Sequence, residues 1–130
     1  MLGAESIFLQ KLRTEERDGA YDALFDYVKL LSPAALDLEI RSSLGALDTL
    51  SLFVHALTQR LKAHRDFEAV QAMMGVFLRV HGEILVQNQD VPELMDGLKE
   101  LKAVQKKETA RIVELLASSL GTLGFVRESV

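Results

Sequence analysis

Apolar residues recur at spacings of three and four along most of the chain, and no stretch alternates apolar with polar residues over a strand length. That pattern predicts helices and no sheet. Residues 5–17 form a first predicted helix with Ile7, Phe8, Leu9 and Leu12, ending near Asp18 and Gly19. Residues 21–31 form a second, with Tyr21, Leu24, Phe25, Val28 and Leu31. Ser32 caps a third, with Pro33 in its first turn, which stacks Leu36, Ile40 and Leu44 on one face and stops at Gly45. The fourth covers residues 47–64, where Leu47, Leu50, Val54, Leu57 and Leu61 alternate three and four as a packing seam does.

Asp66 is expected to cap the fifth helix, which runs to about Asn88. Its stripe is Phe67, Val70, Met74, Phe77, His81 and Ile84, and Met73, Val76, Leu78, Val80 and Leu85 spread apolar groups onto other faces. A helix apolar on several sides is expected to sit centrally against more than one neighbour. The sixth and longest spans residues 91–120, with Leu94, Leu98, Leu101, Ile112, Leu115 and Leu116 as its stripe, broken by Gln105 and Glu108. From Gly121 the chain reads as a turn and a short apolar tail. The expected fold is all-α: a compact bundle of about six helices with a long final helix, one domain over residues 1–130.

Composition agrees with the pattern. Leu occurs 23 times and Ala 13 times, against 20 for Val, Ile and Thr together, which favours helix over strand. The net charge of −4 argues against a globally basic nucleic-acid binder, though not against a local basic patch. The absence of Cys excludes disulfides, thiol catalysis and Cys-ligated zinc. No apolar run reaches the roughly 20 residues a bilayer crossing needs, and Glu5, Lys11, Arg13, Glu15, Glu16 and Arg17 interrupt any signal-peptide pattern.

Catalytic chemistry has little to stand on. His81-Gly82-Glu83 matches half of a zinc-deaminase motif but lacks the cysteine ligands, and His55 and His64 do not stand at ligand spacing with it. The simpler reading of His81 is a half-buried, hydrogen-bonded residue of the fifth, central helix. Gly121-Thr122-Leu123-Gly124 lacks the lysine of a phosphate loop. Neither a cofactor, a metal nor a small-molecule substrate is expected, and the chain is not read as an enzyme.

Two surfaces remain as candidates. The final helix is long for so small a globule, and Leu101, Gln105, Glu108, Ile112 and Leu115 are candidate contacts with another protein, the two polar positions either setting register or marking a kink with ordinary polar exposure. The alternative is RNA: Lys99, Lys102 and Lys106 share one flank of that helix, and Arg60, Lys62 and Arg65 cluster at the end of the fourth. Against it, aromatics for base stacking are scarce at 6%, and Arg60 and Arg65 equally suit ion pairs with Asp66 or Glu68. Asp37 and Arg41, four apart, form a supporting helix pair.

Two longer strings go beyond periodicity. Residues 31–44, LSPAALDLEIRSSL, carry Ser32, Pro33, Leu36, Asp37, Glu39, Ile40, Arg41 and Ser42 in order. Residues 55–85 carry Arg65-Asp66-Phe67-Glu68, Gln71-Ala72, Phe77-Leu78 and His81. Together, over residues 6–126, they resemble the C-terminal helical domain of the tandem WD-repeat subunit of the UTP-B complex. The resemblance implies a fragment of a larger WD-repeat protein of the nucleolus. It also implies a scaffold role in the small-subunit processome, serving pre-rRNA processing and 40S ribosome assembly. The implied partners are the helical C-terminal domains of other UTP-B propeller subunits, with self-association when the piece is isolated. Pre-rRNA would be contacted indirectly or weakly, and a membrane not at all.

Overall fold

The computed structural model describes residues 5–14 and 21–121 in full and the backbone of residues 15 and 122–129. Six helices follow one another: α1 (Ile7–Glu15), α2 (Asp22–Lys29), α3 (Pro33–Ser43), α4 (Leu47–Lys62), α5 (Phe67–Gln87) and α6 (Pro92–Ser129). The expected end of the first helix, at Asp18 and Gly19, lies outside the described residues.

Local signals account for most helix starts. Ser6 Oγ accepts the Leu9 amide at 3.1 Å at the entrance of α1 and meets Ser43 Oγ at 2.8 Å, tying α1 to the end of α3. Ser32 Oγ accepts the Ala35 amide at 3.1 Å, with Pro33 in the first turn of α3, as its sequence predicts. At α4 no side chain caps from Ala46; instead Thr49 Oγ1 accepts the Ala46 amide and donates to the Ala46 carbonyl. Asp66 departs from expectation. It stands at the N-cap of α5 in the left-handed region, φ 55°, and its side chain makes no capping bond, because both carboxylate oxygens are held by cations from α2 and α4.

The core is one continuous cluster running from Phe8 and Leu12 of α1, through Leu24 and Phe25 of α2 and Ile40 and Leu44, to the α4–α5 layer. The Phe53 ring lies 6.0 Å from Phe8 and 5.0 Å from Phe77, linking α1, α4 and α5 through one aromatic column. Helix α4 is the central element: Leu50, Phe53, Val54, Leu57 and Leu61 are buried, and it packs against α1, α5 and α6. The expectation for α5 holds in part. It touches both α3 and α4, but Leu78 and Val86 remain exposed, so its outer side faces solvent. Contrary to the sequence reading, α5 has the length and mean hydropathy (1.3) of a bilayer crossing; its stripe of Val70, Met73, Phe77 and Leu85 packs instead against the protein core. His81, also on that stripe, is buried and its Nε2 bonds the Ile40 carbonyl at 2.8 Å.

The last helix differs most from prediction. It does not stop at Gly121 but continues through Gly124 to Ser129. Glycine costs about 1 kcal/mol in a helix interior but does not end one unless the backbone turns left-handed. No proline follows to enforce a stop. At 38 residues α6 is about 57 Å long.

Candidate protein interface

Helix α6 lies along α4 for its first half and then runs past it. Leu94 and Leu101 are buried on α4, with Leu98 and Val104 partly so. Gly97 lets the two backbones approach: a β-carbon there would sit 3.5 Å from Val54 Cγ1. Because α4 ends at Lys62, the inward stripe of α6 loses its neighbour about one turn beyond Gln105.

Glu108 marks that boundary. It is only 3% exposed and is clamped from two sides. Arg111 donates Nε to Oε1 at 2.6 Å and Nη2 to Oε2 at 3.0 Å, and His64 Nδ1 meets Oε1 at 2.9 Å. The Arg111 guanidinium, working against burial and assisted by His64, holds the Glu108 carboxyl at about 2. The His64 backbone is itself left-handed, φ 59°, which aims its ring back from the end of α4 toward α6. The Glu108–Arg111 spacing of three was readable in sequence as a helix pair; His64, 44 residues away, was not.

Past Glu108 the same stripe becomes exposed. Ile112 is half-buried, and Leu115, Leu116 and Leu120 are 55%, 58% and 66% exposed, with Val113 beside them also exposed. The five interface candidates therefore fall into two groups. Leu101 and Glu108 are buried inside the chain, with Gln105 half-buried between them; Ile112 and Leu115 lie on the projecting segment.

The basic candidates divide as well. Arg60 is 2% exposed, donates Nε to Asp66 Oδ2 at 2.8 Å, pairs with Asp22, and stacks its guanidinium over the Phe25 ring at 4.9 Å. Lys29 Nζ closes the network on Asp66 Oδ1 at 2.7 Å, and Arg65 reaches Asp22 at 3.0 Å. Burial alone would raise the Asp66 carboxyl, but Lys29 and Arg60 hold it below the ordinary range; Asp22 is lowered chiefly by its hydrogen bond from Arg60. Lys62 pairs with Glu100 across α4 and α6. Lys99, Lys102 and Lys106 are exposed on α6 and form no ion pair among the described residues. Asp37 pairs with Arg41 at 3.2 Å, as its spacing suggests, and also with Arg79 of α5 at 3.1 Å.

A groove of about 580 Å³ opens between α4 and the start of α6, floored by Leu52, Val54 and Val91. Its histidine and carboxylates, His55, Asp48, Glu93 and Glu100, stand exposed at the rim. Among the described residues no three His, Asp or Glu side chains gather as metal ligands do.

Comparison with known proteins gives a consistent result. Residues 1–127 match the family described as the Utp21 specific WD40 associated putative domain. The chain is 40% identical over 112 residues, 82% of its length, to the U3 small nucleolar RNA-associated protein 21 homolog of Schizosaccharomyces pombe. It is 35% identical over 127 residues, 96% of its length, to the U3 small nucleolar RNA-associated protein 21 of Saccharomyces cerevisiae. Over its whole length it is 23% identical to the human WD repeat-containing protein 36. It spans only 12%, 13% and 15% of these three relatives.

Proposed function

Because the chain belongs to the family of Utp21-specific WD40-associated domains, we propose that it is a non-catalytic joint that links subunits of the UTP-B complex within the small-subunit processome, in support of pre-rRNA processing and 40S assembly. Three further points belong to the same reading. The domain forms the C-terminal part of a WD-repeat subunit; it works in the nucleolus; and it meets helical domains of sister subunits. The names of the relatives, U3 small nucleolar RNA-associated proteins and a WD repeat-containing protein, support the setting.

One observation carries the mechanism: among the described residues the inward stripe of α6 is covered by α4 up to Glu108, then half-buried at Ile112 and exposed at Leu115 and Leu116. Four large apolar side chains, Val113, Leu115, Leu116 and Leu120, lie exposed on about two turns of one helix. Contiguous exposure of that kind marks a surface for another protein, since burying each such side chain is worth about 1.5–3 kcal/mol. The test is Leu116→Asp in the full-length protein. Loss of the subunit from its complex, with accumulation of unprocessed pre-rRNA, is expected; normal assembly and processing would refute the joint.

A second reading is favoured by the exposed Lys99, Lys102 and Lys106, unpaired among the described residues, which suit RNA phosphates. Arg60, Lys62 and Arg65 serve it less well, being engaged with Asp22, Asp66 and Glu100. Charge reversal at the three lysines that abolishes RNA crosslinks while leaving subunit assembly intact would favour it.

A further inference from the structure

Helix α4 ends in a way that glycine normally serves. The His64 amide bonds the Leu61 carbonyl at 3.0 Å and the Arg65 amide bonds the Arg60 carbonyl at 3.3 Å. This nested pair is the common helix ending in which one residue turns left-handed, and that residue is usually glycine and sometimes asparagine. Here it is His64, at φ 59°. A side chain with a β-carbon is strained in that region, so the cap by itself would favour glycine.

What the histidine adds is reach. Its Nδ1 lies 2.9 Å from Oε1 of Glu108, 44 residues further along the chain. A carboxylate only accepts hydrogen bonds, so Nδ1 is the donor. The contact falls where α6 leaves the bundle: Leu101 is the last buried apolar side chain of α6 among the described residues, and Glu108 the last buried one of any kind. Arg111 holds the same carboxylate from within α6 and so does not fix the helix to the bundle.

The turn that carries His64 is tied down on its other side. Arg65 reaches Asp22 of α2 at 3.0 Å. Asp66, also left-handed at φ 55°, takes Lys29 of α2 at 2.7 Å and Arg60 of α4 at 2.6 Å. Residues 64–66 therefore join α6 on one side to α2 and α4 on the other. The second charged link from the end of α4 to α6, Lys62 to Glu100, is half-exposed at both groups, and exposed pairs of that kind contribute little.

We propose that the turn between α4 and α5 is a latch on α6: His64, in a conformation natural to glycine, grips Glu108 and sets the direction in which the projecting half leaves the bundle. The device works in the same way whatever covers that half. With the latch closed, α6 is held at Leu101 and again at Glu108, which fixes its axis. With the latch open, the helix pivots near Leu101. Ala110 lies about 13 Å beyond Leu101 along the axis, so a pivot of about 20° carries it about 5 Å.

Spin-label distances in the full-length protein test the latch. One label stands at Ala72 on α5 and the second at Ala103 or Ala110 on α6, all three positions being exposed. The native protein is expected to give narrow distance distributions to both α6 sites. His64→Gly keeps the helix ending and removes the grip; it should leave the Ala103 distribution narrow and widen the Ala110 distribution about twofold or more. Glu108→Ala should widen Ala110 to the same degree, and the two changes together should widen it no further. An unchanged Ala110 width in His64→Gly would reduce His64 to a helix end and overturn the latch. Equal widening at Ala103 would overturn it too, by placing the change in the α4–α6 packing. A native Ala110 distribution already as broad as that of the variants would mean that no direction is set.

Discussion

Residues 92–108 and 109–129 of α6 share one unbroken helix and one inward stripe, yet their surroundings are opposite. In the first half Leu94 and Leu101 are buried on α4, charges face outward, and Lys62–Glu100 and His64–Glu108 fasten the helix to the end of α4. In the second half the stripe is as apolar, the charges are fewer (Arg111, Glu114, Arg127 and Glu128), and α4 is gone. Helical continuity thus says nothing about who the neighbour is. The first half is stabilised by its own chain, and the second is an apolar surface whose helical form is marginal until something covers it.

This contrast makes ordered predictions. The largest effect is expected from Leu101→Ala, which empties a site at 3% exposure and should cost about 2–5 kcal/mol, read as a fall in the urea midpoint. The matching Leu115→Ala, at 55% exposure, should change stability by no more than about 0.5 kcal/mol; equal losses at the two sites would mean the halves are not distinct. Next comes the boundary. The folded pKa of Glu108, about 2, lies below its ordinary 4.5, so its contribution is complete above pH 4.5 and disappears as pH falls toward 2. Glu108→Gln should therefore flatten the fall of melting temperature across that acid window, leaving the part due to Asp22, Asp37, Asp66 and Glu100, whose carboxyls are also lowered. An unchanged pH profile would remove Glu108 as the clamp. The smallest effect is Gly121→Ala, which should add helical signal in circular dichroism, by about 0.5–1 kcal/mol of local propensity, without moving the global transition.

How much of this was readable in advance follows a physical rule. Ser32 with Pro33, the Asp37–Arg41 pair, and the stripes of α3 and α4 rest on neighbours within one or two turns, and the sequence contains both partners. Asp66 looked like a cap because caps are local; its carboxylate was claimed by Lys29 and Arg60, whose approach depends on how α2, α4 and α5 dock. Burial of Leu101 and exposure of Leu115 could not be told apart by periodicity, since both sit on the same stripe and only the length of α4 separates them. Gly121 reads as a stop because glycine commonly follows a helix end, a local signal that does not say whether the backbone turns left-handed.

Amide hydrogen exchange along α6, compared between the free subunit and the subunit in its complex, separates the two halves of the helix. Protected amides are expected over residues 94–108 in both states, and amides over residues 109–126 that exchange rapidly when free and slow by several orders of magnitude in the complex. Equal protection of the two halves in the free protein, or no gain in the distal half on assembly, would contradict the contrast between them.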